Sequence, residues 1–306
     1  MSVLRSSRSA RPTGTTRPGA GRRLPVLAAL AAATALVAGV TAPAYAAGPA
    51  PLVPSTAASA APVVEGRPAF HPDRDFAGST VVAHEGRPGG TPAASLAVTQ
   101  TAGMDVASYQ GNVAWSTAAA NGARFAYVKA TEGTSYTNPY FAQQYNGSYH
   151  AGLIRGAYHF ALPNNSSGSA QANWFVDHGG GWSADGATLP PALDIEYNPY
   201  GASCYGLSQS AMVSWISAFS NTVRSRTGRY PTIYTTTNWW STCTGNYGGF
   251  GATNPLWIAR YSSTVGTLPN GWSYQTFWQY SDAGTFPGDQ DLFNGAADRL
   301  SALALG

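Results

Sequence analysis

Two acids stand out in this chain by their spacing. In Pro190-Pro191-Ala192-Leu193-Asp194-Ile195-Glu196-Tyr197-Asn198 an apolar run carries into Asp194 and Glu196, then breaks at Asn198-Pro199. In a β-strand, side chains at i and i+2 point to the same face. Asp194 and Glu196 would then project side by side while Ile195 packs the other way. Two close carboxyls repel, which raises the pKa of one and leaves the other ionised. That pairing suits a general acid beside a charge-stabilising partner. The competing reading is a solvated acid pair at a strand edge. Against it, the whole chain of 306 residues holds only 14 Asp and Glu, and this pair interrupts an apolar segment.

Three further acids fall in strand-like runs: Asp105 in Gly103–Tyr109, and Asp289 and Asp291 in Asp289–Phe293. The elements between them alternate. Phe125–Ala130, Ile154–Phe160, Tyr230–Thr235, Leu256–Tyr261 and Thr276–Tyr280 read as strands. Trp115–Gly122, Asn138–Ala151, Ser169–His178 and Gln209–Thr227 read as helices, the last with Met212, Val213, Ile216, Phe219 and Val223 at helical spacing and Gly228 as its stop. After Thr227 the helices fade, save for a closing one over Ala296–Leu305. About 200 residues of alternating strand and helix predict an α/β fold, a parallel sheet of eight strands closed as a TIM-like barrel. Such barrels carry their chemistry at the strand C-terminal ends. Asp105 and an acid of the eighth strand would then face the Asp194–Glu196 pair across a cleft.

The first 102 residues read differently. Met1–Arg23 holds six arginines and no acid, Leu24–Val40 is an Ala/Leu/Val run, and Ala44-Tyr45-Ala46 follows. Residues 1–46 are therefore expected to be a secretory signal peptide cleaved after Ala46, exported by the general or the twin-arginine route, and the mature protein to be secreted, with no membrane anchor left. Residues 47–102, rich in Ala, Pro, Gly and Ser, read as a linker or pro-segment. Within it, His71-Pro72-Asp73-Arg74-Asp75-Phe76 is the stretch with the charge to dock on the domain of residues 103–306.

The formal net charge is +3, but six positive charges belong to the signal and the remainder carries −3. With Lys129 the only lysine, nucleic-acid binding loses its electrostatic basis. Cys204 and Cys243 in an exported chain predict one disulfide, and no Cys/His set predicts a metal.

Aromatic residues crowd the same strand ends: Tyr109, Tyr158, Tyr197, Tyr234, Trp239, Trp240, Trp257, Tyr261, Trp278 and Tyr280. About half fill a core. Tyr158, Tyr197, Tyr234, Trp278 and Tyr280 are the expected substrate-binding set, and one of the adjacent Trp239 and Trp240 is expected to be exposed. Carboxyl pairs with aromatics suit glycoside cleavage, which needs neither cofactor nor metal. The G-x-S-x-G, Walker and H-E-x-x-H motifs are absent. His159 reads as a satisfied core histidine or an orienting group, and Lys129 with Glu132 as a polar rim.

Taken together, Gly103-Met104-Asp105-Val106, Gln110-Gly111, Phe125–Gly133, Gly156–Phe160, Leu193-Asp194-Ile195-Glu196 and Trp278-Gln279-Tyr280 resemble glycoside hydrolase family 25. Ala107 departs from that family's usual serine. The resemblance implies an irregular TIM-like barrel, about five β/α units followed by strands largely lacking helices. It implies hydrolysis of the β-1,4 bond between N-acetylmuramic acid and N-acetylglucosamine in peptidoglycan glycan strands; a lone catalytic domain without recognisable wall-binding repeats is expected to be a monomer. It implies Glu196 as general acid, Asp194 as nucleophile or as holder of the substrate's acetamido group, Asp105 as a site acid, and either Asp289 or Asp291 as the last. A chitinase-like or hexosaminidase-like glycosidase and a non-catalytic cell-wall binding module are the alternatives.

Overall fold

The computed structural model describes residues 69–87 and 99–306. The expected signal peptide, and with it residues 47–68 and 88–98, lies outside the described residues. A short helix α1 (Val81–Glu85) precedes β1 (Thr101–Val106), α2 (Trp115–Ala120), β2 (Phe125–Glu132), β3 (Tyr136–Thr137) and α3 (Phe141–His150). Then follow β4 (Ile154–Phe160), α4 (Gly168–Asp177), β5 (Ala192–Asp194), α5 (Gln209–Thr227), β6 (Thr232–Thr235) and α6 (Thr237–Thr244). The chain closes with β7 (Leu256–Ala259), β8 (Phe277–Ser281), β9 (Asp289–Phe293) and α7 (Ala297–Leu305).

Eight strands form a closed barrel in the order β1-β2-β4-β5-β6-β7-β8-β9, with β9 returning to β1; β3 is a two-residue addition beside β2. Every barrel pairing from β1 to β8 is parallel, but β9 runs antiparallel to both neighbours. This corrects the all-parallel expectation. A parallel return needs a long crossover, whereas the short connection from β8 lets the chain double back.

Period-two alternation sorts the strand residues. Tyr127, Tyr158, Ala192, Tyr234, Trp257, Phe277 and Phe293 fill the barrel interior. Leu193, Ile195, Ile233 and Ile258 face outward against Phe175 of α4 and Met212, Ile216 and Phe219 of α5. Both faces are buried, as for any helix-covered parallel sheet. The α5 boundaries match the expectation because both signals are local. The Ser208 side chain accepts from the Ala211 N–H, and Gly228 takes the left-handed conformation at φ 82°.

Two more expectations are corrected. The strand expected over Pro190–Asn198 shrinks to Ala192–Asp194, although the Ile195 N–H still donates to the Tyr234 carbonyl at 3.0 Å. Helix α6 was unforeseen, and it buries both Trp239 and Trp240. The Trp239 Nε1–H donates to the Ser203 carbonyl at 3.0 Å and the Trp240 Nε1–H to the Tyr247 carbonyl at 2.9 Å. Adjacent residues on a helix diverge by about 100°, and loops on two sides receive them.

Cys204 and Cys243 are bonded, with Cα atoms 5.3 Å apart, joining the loop after β5 to α6. Their separation of 39 residues gives about 4 kcal/mol in the chain-entropy account. The Cys204→Ser/Cys243→Ser double variant should therefore melt about 8–16 °C lower, at about 2–4 °C per kcal/mol for this size. A shift below about 2 °C in calorimetry would remove the disulfide from the stability of that loop.

Candidate active site

The strand register decides which acids meet. In the β1–β9 pairing Asp105 lies opposite Asp289, and Gly103 opposite Asp291. Because β9 is reversed, its first residue is level with the C-terminal ends of the parallel strands. Asp289 is thus at the barrel mouth, and Asp291 sits two residues deeper. On the opposite wall, Asp194 ends β5 and Glu196 follows beyond the strand. All five are at most 3% exposed, so the structure brings the expected acids to one end of one barrel.

Gln279 connects them. Its Nε2 donates to Asp105 Oδ2 at 2.8 Å and to Asp289 Oδ2 at 3.2 Å. Its Oε1 accepts from the hydroxyls of Tyr234 at 2.7 Å and Tyr261 at 3.1 Å. Tyr261 also donates to Asp289 Oδ2 at 3.3 Å. Deeper in, the Trp257 Nε1–H donates to Asp291 Oδ1 at 2.8 Å. Asp194 differs from the rest: both of its oxygens are buried and neither has a hydrogen-bond partner.

Burial sets the protonation of this cluster. It pushes Asp105, Asp194, Asp289 and Asp291 well above the usual carboxylate range, since a low-dielectric site disfavours charge. Like charges add to it: Asp291 acts on Asp105, Glu196 on Asp194, and Asp105 on Asp289. Burial also raises Glu196, to about 7, against hydrogen bonds from Thr80 and Gly78 that lower it.

The polar rim expected at Lys129 and Glu132 is instead a buried ion pair, Nζ to Oε2 2.6 Å, both side chains wholly covered. Burial raises Glu132 to about 7, with Lys129 opposing. His159 faces outward between Phe175 and Phe219, bonded to Thr131 Oγ1 at 2.7 Å and Gln171 Oε1 at 3.0 Å. Burial lowers it to about 3, so it is a satisfied, neutral core histidine.

Of the expected aromatic set, Tyr158, Tyr197 and Tyr234 line the mouth. Trp278 and Tyr280 do not: their rings pair at 5.9 Å in the outward cluster, and the Trp278 Nε1–H donates to the Arg260 carbonyl. Alternation explains this correction, because β8 turns Phe277 and Gln279 inward and so must turn 278 and 280 out. The same rule read on Trp278-Gln279-Tyr280 would have pointed to Gln279. Tyr200, a loop residue with no strand pattern to place it, carried no such signal. Among the described residues no group of three or more His, Cys, Asp or Glu is arranged to hold a metal.

The mouth is covered by residues 70–87. The Gly78 N–H donates to Glu196 Oε1 at 2.7 Å and the Thr80 hydroxyl to Glu196 Oε2. The Ala77 N–H donates to the Tyr158 hydroxyl at 3.2 Å, and its carbonyl accepts from Gln279 Nε2 at 2.8 Å. Lys129 Nζ donates to the carbonyls of Pro72, at 3.0 Å, and Asp75, while Tyr200 donates to the Asp75 carboxylate. His84 stacks on Tyr197 at 4.0 Å, and Tyr197 donates to Glu85 at 2.8 Å.

The family model of Glycosyl hydrolases family 25 matches residues 104–289. An N,O-diacetylmuramidase of Chalaropsis sp is 53% identical over 208 residues, which are 67% of this chain and 99% of that protein. Lysozyme M1 of Streptomyces globisporus is 46% identical over 66% of this chain and 70% of its own length. The solved family GH25 lysozyme of Aspergillus fumigatus superposes with a TM-score of 0.67 at 51% identity, covering 68% of this chain and all of that one. Barrel, acids and comparisons agree, and the chain belongs to glycosyl hydrolases family 25.

Proposed function

We propose that the protein is a secreted muramidase that hydrolyses the β-1,4 bond between N-acetylmuramic acid and N-acetylglucosamine in peptidoglycan, with Glu196 as general acid. The observation that carries the assignment of roles is the contrast between neighbours on one wall. Glu196 is raised to about 7 and accepts hydrogen bonds from the Gly78 N–H and the Thr80 hydroxyl in the cleft. Asp194 is buried beside it with no partner at all, and a buried polar group without a partner is costly unless a ligand supplies one.

Glu196 gives its proton to the glycosidic oxygen as the C1–O bond breaks, so the leaving sugar departs as a neutral alcohol. Positive charge develops at C1, and Asp194, once ionised, stabilises it, by attack on C1 or by holding the substrate's acetamido group as that group attacks. A water then attacks C1, breaking the bond to the Asp194 oxygen or to the acetamido oxygen, and gives a proton to Glu196, now the base, so the two displacements leave the configuration at C1 retained. Asp105, Asp289 and Gln279 form the facing wall and bind sugar hydroxyls. The signal-like leader and the paired cysteines support secretion; no described helix is long and apolar enough to cross a membrane.

The assay is release of new reducing ends from purified peptidoglycan, with the protein tested whole and as residues 99–306. Glu196→Gln and Asp194→Asn should each lower kcat/KM by about 10²–10⁴, and wild-type rates in Glu196→Gln would remove it from the role. Faster hydrolysis of chitin oligomers than of peptidoglycan would favour a chitinase-like enzyme, and binding without new reducing ends a wall-binding module.

Because the acid must be protonated, kcat/KM should fall as pH rises through the pKa of Glu196, which burial holds above the usual carboxylate range even against the lowering hydrogen bonds of Thr80 and Gly78. An alkaline limb above pH 9 would assign the proton to another group.

A further inference from the structure

The segment before the barrel has its own chemistry. Ala77 and Val81 are buried and belong to the apolar cluster of the barrel interior, beside Tyr158, Tyr234, Trp257 and Tyr261. Asp75, Gly78 and Thr80 are buried as well. A linker has no reason to place five such residues in one cleft, since ordering each backbone unit costs about 1–2 kcal/mol.

The contacts are made to the groups that a glycan would need. The two Glu196 oxygens are both taken by the segment, Oε1 by the Gly78 N–H and Oε2 by the Thr80 hydroxyl. Gln279 and Tyr261, which otherwise face Asp105 and Asp289, bond the carbonyls of Ala77, at 2.8 Å, and Gly78, at 3.4 Å. Tyr158 and Tyr197 are likewise engaged, and Arg87 pairs with Asp282 at the far end. Donors on both oxygens also favour the ionised form of Glu196, the wrong form for giving a proton.

We propose that residues 70–87 are an inhibitory pro-segment, a peptide ligand of the cleft that keeps the enzyme closed until a protease cuts between it and the barrel. This rests on the muramidase reading above. The tether is what makes a modest peptide effective. At an effective concentration of the order of 1 mM, a segment with a free Kd of about 10 μM is closed about 99% of the time. One cut turns it into a dissociable peptide that dilution removes.

Gly78 supplies the test. Its φ is +92°, and a Cβ there would meet the Tyr261 hydroxyl, Gln279 Oε1 at 2.6 Å and the Tyr234 hydroxyl at 2.9 Å. These side chains are buried and hydrogen-bonded to one another, so displacing them breaks those bonds, and the backbone conformation itself disfavours any other residue. Gly78→Leu therefore unseats the segment without altering the barrel. The barrel alone is expected to fold, since the Chalaropsis relative is matched almost entirely over a length of 208 residues, that of residues 99–306.

The experiment compares kcat/KM on soluble peptidoglycan fragments for residues 47–306, the same chain with Gly78→Leu, and residues 99–306. The intact chain should be at least tenfold slower than the barrel, and Gly78→Leu should restore it to within about twofold. A synthetic peptide of residues 69–87 should inhibit the barrel, and its Gly78→Leu form should not. Equal activity of the intact chain and the barrel overturns the proposal, whatever the peptide does. A barrel with no activity on any peptidoglycan overturns the muramidase reading instead. Binding of labelled 69–87 peptide to the barrel then decides the matter: no binding at 1 mM overturns the cleft-ligand proposal too.

Discussion

A barrel of parallel strands closes only when its last strand pairs with its first, and here the closing strand is reversed. The antiparallel insertion of β9 between β8 and β1 is the constraint on which the site depends. It brings the beginning of β9, rather than its end, to the catalytic mouth. Asp289 therefore meets Asp105, and Asp291 is sent inward to the Trp257 indole. The two acids, two positions apart in the sequence, acquire separate environments from strand direction alone.

A second constraint follows from the first. Closing the ring gathers many carboxyls around a single ammonium group, in a space where charge is expensive. The protein meets this in two ways: it shares Gln279 between two acids and pairs Glu132 with Lys129, while Asp194 is left with no partner. Asp194 is the acid of the site with both oxygens open, and a buried polar group in that state is complemented by a ligand that can donate to it.

Much of this was legible in the sequence. Asp194-x-Glu196 announced a shared face, and the α5 helix carried both of its end signals in Ser208 and Gly228. The reversal of β9 was not legible, because an isolated run such as Asp289–Phe293 has no marker of direction. Helix α6 was missed because Thr237-Asn238-Trp239-Trp240 has weak helical propensity and gains its stability from the loops that receive the two tryptophans. Trp278 and Tyr280 were misassigned by favouring aromatic type over alternation. The docking of residues 70–87 was only hinted at by the charges of His71–Phe76, since the apolar residues that enter the barrel, Ala77 and Val81, are small and unremarkable in sequence.

The lone lysine has a consequence of another kind. Lys129 is the chain's single ε-amino group, and its Nζ is enclosed by Glu132 and by the carbonyls of Pro72 and Asp75. Amine-directed reagents meet a surface with nothing to attack apart from the chain terminus. The one side-chain amine lies beneath the segment that covers the cleft, and acylation there requires its hydrogen bonds to the carbonyls of Pro72 and Asp75 to open first.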